Sequence, residues 1–270
     1  MQRALILVAM TAAPITAHHA PAPAPASASG ALSGVASSGS ESSFKATVIE
    51  IKTSDGLVLS GSFFEPKKRS PGAVLVHDAG ANREELESIA IKLHKQGFGV
   101  LTFDVRGHGL SKSTKADWGT LGDEDQRKSL WAQGMRDVRA ASDWILDQKS
   151  IHSTSLSLVG HGSGCALVAR HAKKDVNVIS LTLLAPRGED MGFDVKSDLE
   201  YLNGLPTYVV TPRKNGAEEM VKRANLLSGG HPYIELLLST PKAPTVLEDR
   251  KVPSKVSNWM SDIAREKKGR

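Results

Sequence analysis

Three short polar segments contain the residue types from which hydrolytic active sites are built. They read HDAG at 77–80, DVRGHG at 104–109 and GHGSG at 160–164, and each follows an apolar run. Histidine can accept a proton, serine can attack a carbonyl carbon, and backbone N–H groups at a glycine-rich turn can stabilise an oxyanion. The chemistry that these residue types would support is therefore acyl transfer.

The apolar runs in front of these segments predict strands that are buried on both faces of a sheet. Amphipathic stretches between the runs predict helices. The predicted strands are Thr47–Ser54, Leu57–Phe64, Ala73–His77, Gly99–Phe103, Ser155–Val159, Val178–Leu184, Pro206–Val210 and Tyr233–Leu238. The predicted helices are Arg83–Lys95, Ser129–Leu146, Ser163–Lys173, Ala217–Leu227 and Val256–Glu266.

The order of these elements predicts an α/β fold. The first two strands flank Asp55-Gly56, a pair that favours the primed turn of a hairpin. Strands and helices then alternate, which indicates a mostly parallel, doubly wound sheet of eight strands flanked by helices. Ligands bind at the carboxyl ends of the strands in such sheets, and all three polar segments are expected there.

With its three polar segments in this order, the chain resembles the α/β-hydrolases. It is similar to the small exported esterase, dienelactone-hydrolase and serine-aminopeptidase-like branches, over about residues 45–267. Many lipases insert a lid after the strand that precedes the acid-bearing strand. Here only about twenty residues separate Leu184 from Pro206, so the resemblance implies little or no lid.

The resemblance also implies that all three catalytic positions are replaced. The family's nucleophile turn reads G-x-S-x-G, and matching its two glycines to this chain places Gly162 at the nucleophile position. The acid position falls on Asn215 and the histidine position on Ala243. Because glycine has no side chain to attack a substrate, we expect no catalytic residue and a non-catalytic, hydrolase-like protein.

Other residues leave an alternative open, an active serine hydrolase of the carboxylesterase or peptidase type. Ser163 or an unorthodox triad with His231 would supply its catalytic groups. We expect Ser163 to cap the following helix, His231 to lie in a surface turn, and Cys165 to be buried. The alternative acids Glu218 and Glu219 are expected on the solvent face of a helix.

The backbone of the same segments predicts a binding pocket. The N–H of Ser163, at a helix N-terminus, and one N–H of the Asp78–Ala79 turn would form an oxyanion-like site. Such a site would bind a small molecule or a peptide at the strand ends. We predict no cofactor and no metal, because no histidine pair has the spacing of metal ligands. For His77, His108 and His161 the resemblance implies a role in packing the loops rather than in proton transfer.

The N-terminus predicts export. Residues 1–17 fit a signal peptide, with Arg3 before a short apolar stretch and small residues at its end. Residues 18–43 are expected to be a disordered tether, since 21 of the 24 residues at 20–43 are Ala, Ser, Gly or Pro. The hydrolase-like domain would span 44–270. We therefore expect a periplasmic or extracellular protein with no membrane span after cleavage.

Charge and cysteine content exclude several classes of protein. The net charge is +5, and part of the excess lies in a C-terminal tail interpreted as a solvated basic segment. The sequence contains no basic face with interleaved aromatic residues, so we predict no nucleic-acid partner. A single cysteine, Cys165, excludes an internal disulfide framework and a multi-cysteine metal site.

Overall fold

The computed structural model of the chain describes residues 45–202, 204–212, 215–227, 233–241, 243 and 245–268. The signal peptide predicted for 1–17 and the tether predicted for 18–43 lie outside these ranges, as does His231. Export, the tether and the role of His231 therefore stay predictions.

Eight strands form one sheet in the order β1-β2-β4-β3-β5-β6-β9-β10. The ten strands among the described residues are, in chain order, β1 (Thr47–Lys52), β2 (Val58–Phe64), β3 (Ser70–Val76), β4 (Gly99–Phe103), β5 (Ile151–His161), β6 (Val178–Leu184), β7 (Glu189–Asp190), β8 (Phe193–Asp194), β9 (Thr207–Thr211) and β10 (Ile234–Leu238). Of these, β7 and β8 lie outside the eight-stranded sheet. The strand β2 pairs antiparallel with β1 and β4, and all other pairs of this sheet are parallel. This architecture confirms the predicted fold class.

Helices cover both faces of the sheet. They are α1 (Glu87–Lys95), α2 (Glu124–Leu146), α3 (Gly164–Ala172), α4 (Val195–Glu200), α5 (Ala217–Leu227) and α6 (Val252–Lys268). Residues of α2 to α5, Trp131 and Leu167 among them, form one hydrophobic core with the sheet. Residues of α1 and α6, such as Ile89 and Met260, form the second core. The strand ends are thereby held by packing on both sides.

Several predicted boundaries are wrong by a few residues. The helix α2 begins at Glu124 rather than Ser129, because the Asp123 carboxylate accepts the Gln126 N–H at 3.0 Å and starts the helix earlier. The helix α6 likewise begins at Val252 rather than Val256. The polar first turn of α2 lacks the apolar spacing on which the prediction depends, which explains the missed start of that helix.

The predicted hairpin is confirmed, but the prediction that a primed turn closes it is wrong. Such a turn requires positive φ at both central residues, and only Gly56, with φ +84°, has it. The loop is longer, since the Thr53 N–H donates to the Leu57 carbonyl at 2.9 Å. This conformation leaves the Asp55 carboxylate beside Arg106, at 2.8 Å from Nη1.

The connection from β6 to β9 is short, as predicted. It contains the two-residue strands β7 and β8, which pair as a small hairpin, and the six-residue helix α4. Among the residues that the structure describes, no helix is both long and apolar enough to cross a membrane.

Candidate functional site

A tight turn joins β5 to α3 at the carboxyl edge of the sheet. Gly162, at its apex, has φ +51°, a conformation that side-chain-bearing residues rarely adopt. Its N–H donates to the Leu184 carbonyl at 2.9 Å, which ties the turn to the end of β6. Gly164 lies directly against backbone: a Cβ there would come 2.5 Å from the carbonyl oxygens of Val76 and His77. The strand–turn–helix geometry therefore depends on these glycines.

The carboxylate of Asp78 lies against this turn. Its Oδ1 accepts the Ser163 N–H at 2.6 Å and the Ala79 N–H at 2.8 Å. A Cβ placed on Gly162 would overlap the same carboxylate. The two N–H donors that the sequence predicts for an oxyanion-like site thus meet on an acceptor that the chain itself supplies.

The sequence predicted that backbone donors of the Asp78–Ala79 turn and of Ser163 lie close together. It did not predict that the Asp78 side chain accepts their hydrogen bonds. The motif suggested only a backbone donor from this loop. One signal was available, since a carboxylate in a loop that faces a helix N-terminus is an obvious partner for its free N–H groups.

Arg187, from the loop after β6, contacts the other side of this turn. Its Nη1 lies 3.3 Å from the Ser163 Oγ and 2.8 Å from Asp190, while its Nη2 lies 3.5 Å from the Asp78 Oδ2. The Arg187 side chain is 54% exposed, so these contacts form the solvent-facing surface of the site. The positive charge of Arg187 thus lies beside the negative charges of Asp78 and Asp190.

The Glu85 carboxylate holds the Asp78 loop in place through a backbone hydrogen bond. Its Oε1 accepts the Asp78 N–H at 2.6 Å and lies 2.9 Å from the Nδ1 of His161. Since a carboxylate accepts hydrogen bonds, the ring donates from Nδ1. This pair has the geometry of a histidine oriented by an acid, but no serine or threonine hydroxyl in the described part of the chain hydrogen-bonds to the ring.

His77 and His108 hold the loops together as neutral rings, which confirms their predicted packing role. His77 Nε2 accepts the Val105 N–H at 2.9 Å, and Nδ1 donates to the Asp78 carbonyl at 2.7 Å. His108 Nε2 accepts the Gly80 N–H at 3.0 Å. Burial lowers the pKa of His77, and it lowers the pKa of His108 to about 4.

Ser163 does not act as the predicted helix cap. Its side chain makes no capping hydrogen bond, and its Oγ contacts Arg187 instead. The residue is 1% exposed, and no histidine among the described residues bonds to it. Cys165 is buried as predicted: its thiol donates to the Gly160 carbonyl at 3.2 Å, and burial raises its pKa.

Asn215 and Ala243 follow β9 and β10, which run parallel to β5 in the same sheet. The Asn215 Oδ1 accepts the Ala217 N–H at 3.0 Å at the start of α5. Ala243 donates its N–H to Thr240 at 2.9 Å. Their equivalence to catalytic positions stays a prediction.

Glu218 and Glu219 are exposed on α5, as expected.

A cavity of about 660 Å³ lies next to the Arg187 network. Its walls are the β7–β8 hairpin and the first turns of α2, and it includes Asp190, the carboxylate that binds Arg187. This volume is in the range of small-molecule sites. Across the described residues, no group of three or more His, Cys, Asp or Glu could hold a metal ion.

Comparison with known proteins agrees with this architecture. Residues 73–263 match the model of a family described as "Alpha/beta hydrolase family". A Pyrococcus furiosus esterase superposes with a TM-score of 0.62 at 18% identity, covering 83% of this chain and 91% of the esterase. A dienelactone hydrolase from Anabaena variabilis superposes with a TM-score of 0.65 at 15% identity, covering 82% of this chain and 97% of that enzyme.

Two uncharacterized proteins of Mycobacterium tuberculosis are related in sequence. Each is 27% identical over 121 residues, which cover 44% of this chain and 38% of the relative. The aligned segment therefore spans less than two fifths of the length of these relatives.

Proposed function

Because this chain belongs to the alpha/beta hydrolase family, we propose that it is a member that binds a ligand or a partner without catalysing hydrolysis. One observation carries this proposal: the Asp78 carboxylate accepts the Ser163 N–H at 2.6 Å and fills the space beside Gly162. Neither a nucleophilic side chain nor free oxyanion donors would then be available at the turn between β5 and α3.

The charge of Asp78 strengthens this proposal. Hydrogen bonds from an N–H to a carboxylate are roughly twice as strong as those to a neutral carbonyl. To bind here, an ester oxygen would have to displace the Asp78 carboxylate. Because this carboxylate is part of the chain, it loses no translational freedom when it occupies the site. Negative charge that develops on a substrate oxygen would also be repelled by Asp78 rather than stabilised.

The strand-end surface retains features of a binding site. Arg187 is half exposed between Asp78 and Asp190, and the adjoining cavity of about 660 Å³ is large enough for a small molecule or a peptide side chain. The solved neighbours are described as esterases and a dienelactone hydrolase, which supports a shared fold and a shared site location.

The proposal includes export to the periplasm or the medium. Its support is the leader at 1–17 and the Ala-, Ser- and Pro-rich stretch that follows. N-terminal sequencing of the protein recovered from cell fractions tests it. A new N-terminus after Ala17 or Ala20 in an exported fraction is the expected result, whereas an intact Met1 in the cytoplasm would contradict export.

Catalysis is tested with the full-length protein, short-chain aryl esters and a fluorophosphonate probe. We expect no ester turnover above the buffer rate and no covalent label. The Ser163→Ala variant is the matched control, because Ser163 is the hydroxyl-bearing residue of the turn. Turnover or labelling that Ser163→Ala abolishes would overturn the non-catalytic proposal and support a serine hydrolase.

A further inference from the structure

A second cavity opens at the opposite edge of the sheet. It has a volume of about 400 Å³ and lies among the segments that precede β3 and β4, the start of β5 and the last turns of α6. Because β3, β4 and β5 are parallel, their amino ends meet here, away from the turn at Gly162. The two sites are thus separated by the length of the strands.

We call this cavity the basic cleft, because the ionisable side chains that line it are all basic. Its lining includes Lys68, Arg69, His152, Arg265 and Lys267, and no Asp or Glu. Four separate segments of the chain contribute to the cleft, and basic residues come from three of them. Convergence of cations from separate segments is the pattern expected of a site for an anion.

Several of these cations lack an acidic partner. Lys68 and Lys267 are exposed, and neither forms an ion pair with another described residue. The Nε of Arg69 donates to the Ile151 carbonyl at 3.2 Å, which anchors the guanidinium at the start of β5. Arg265 differs, because its Nη1 is paired with Asp262 at 3.1 Å. The free positive charge therefore comes mainly from Lys68, Arg69 and Lys267.

The helix dipole accounts for only part of this arrangement. Arg265 and Lys267 lie in the last turns of α6, where cations stabilise the negative helix end. Lys68, Arg69 and His152 belong to other segments and have no such role. The cleft also contains two half-buried apolar residues, Pro71 and Ala264. A ligand would meet cations and an apolar surface together.

We propose that this basic cleft binds a small amphiphilic anion, a phosphate or carboxylate head group with a short apolar body. Lys68, Arg69 and Lys267 would neutralise the head group, and Pro71 with Ala264 would contact the body. The head group could belong to a soluble metabolite or to a lipid. This site is independent of the proposed function at the other edge of the sheet.

Calorimetric titration of the full-length protein with hexyl phosphate tests the proposal, with inorganic phosphate as the head-group control. The test variant carries Lys68→Glu and Lys267→Glu. Its matched control carries Lys115→Glu and Lys222→Glu, which change the net charge equally at exposed sites away from the cleft. Melting curves of both variants verify folding.

We expect hexyl phosphate to bind at least tenfold more tightly than inorganic phosphate. The test variant should lose at least tenfold in affinity, whereas the control variant should change less than twofold. Equal loss in both variants would indicate a general charge effect and overturn the proposal, as would the absence of binding by the unmodified protein.

Co-sedimentation with vesicles distinguishes the two sources of the anion. Vesicles of phosphatidylcholine alone are compared with vesicles that also contain phosphatidylglycerol. Binding to the anionic vesicles that the test variant loses and the control variant keeps supports a lipid head group. Binding of hexyl phosphate without binding to either kind of vesicle supports a soluble anion.

Discussion

At the scale of single residues, Asp78 determines what the turn between β5 and α3 can bind. Its carboxylate satisfies the N–H groups of Ser163 and Ala79, donors that would otherwise be free for a ligand. The side chain is 22% exposed, so a small anion from solvent could take the same place if the carboxylate were removed. Replacement of Asp78 should therefore convert an internal contact into an external binding site.

Asp78→Ala should lower the free energy of unfolding by about 1–3 kcal/mol, because it leaves buried donors without a partner. Acetate should restore part of this loss, and chloride at equal ionic strength should not. Thermal melts in the two salts measure the difference. Asp123→Ala is the control, since it removes a carboxylate that caps an exposed helix N-terminus by accepting the Gln126 N–H. Equal acetate effects on both variants would contradict an anion site at Asp78.

The buried histidines predict a dependence of stability on pH. The unfolded chain binds a proton at His108 near pH 6.5, whereas burial lowers the pKa in the folded protein to about 4. Since the unfolded state then holds more protons, stability should fall as the pH drops from 6.5 to 4. The slope contributed by one such ring reaches about 1.4 kcal/mol per pH unit. Burial lowers the pKa of His77 and His171 in the same direction.

Urea unfolding at several pH values between 4 and 7 measures this slope. His108→Asn should make it shallower, because one of the protons taken up on unfolding is removed. An unaltered slope in His108→Asn would show that this ring does not carry the effect.

The resemblance to the α/β-hydrolases predicted the packing histidines and the buried Cys165, because these positions match the motifs of that family. The Asp78 contact could not be predicted in the same way. Ser163 is 85 positions further along the chain, and the two meet only because β3 and β5 are neighbours. Side-chain placement across strands depends on the register of the sheet, which spacing in the sequence does not specify.

At the scale of elements, a buried ion pair joins the loop after β4 to α2. The Arg106 Nη2 lies 2.6 Å from Asp137, whose side chain is 0% exposed, and Nη1 lies 2.8 Å from Asp55 in the β1–β2 turn. Asp137 also accepts the Arg106 backbone N–H at 2.9 Å. Three elements thus share one guanidinium. The turn motif and the DVRGHG segment predicted these elements but not their connection.

Asp137→Ala should lower the free energy of unfolding by about 3–5 kcal/mol, because it leaves a buried guanidinium without its main partner. The double variant Arg106→Met with Asp137→Leu should be less destabilised, since it leaves no buried charge unpaired. Asp55, which also loses Arg106, is 33% exposed and keeps Arg136 at 3.3 Å. Urea unfolding measures both. Asp143→Ala breaks the exposed pair with Arg139, 3.7 Å apart, and should change stability by less than about 0.5 kcal/mol. A similar loss in Asp143→Ala and Asp137→Ala would contradict the role of burial.

At the scale of the whole molecule, the sheet separates two sites with different chemistry. The carboxyl edge holds the turn at Gly162, where an internal carboxylate meets the donors, and the amino edge holds the basic cleft. Alternation of apolar runs predicted this sheet and the edge at which Gly162 lies. It did not predict the cleft, because Arg69 and Lys267 are nearly 200 positions apart in the sequence. They meet only in the folded protein, where the segment before β3 and the last turns of α6 line the same cavity.

Rebuilding a triad tests how the carboxyl edge as a whole is organised. We compare Gly162→Ser, Asn215→Asp and Ala243→His together, with and without Asp78→Ala. A side chain at 162 would overlap the Asp78 carboxylate, so the triple variant should be destabilised and unlabelled by a fluorophosphonate probe. Adding Asp78→Ala removes the overlap and frees the N–H donors, so stability should recover in part and slow labelling at 162 should follow. Equal stability and equal labelling with and without Asp78→Ala would mean that Asp78 moves aside freely. Its carboxylate would then not be the group that closes the site.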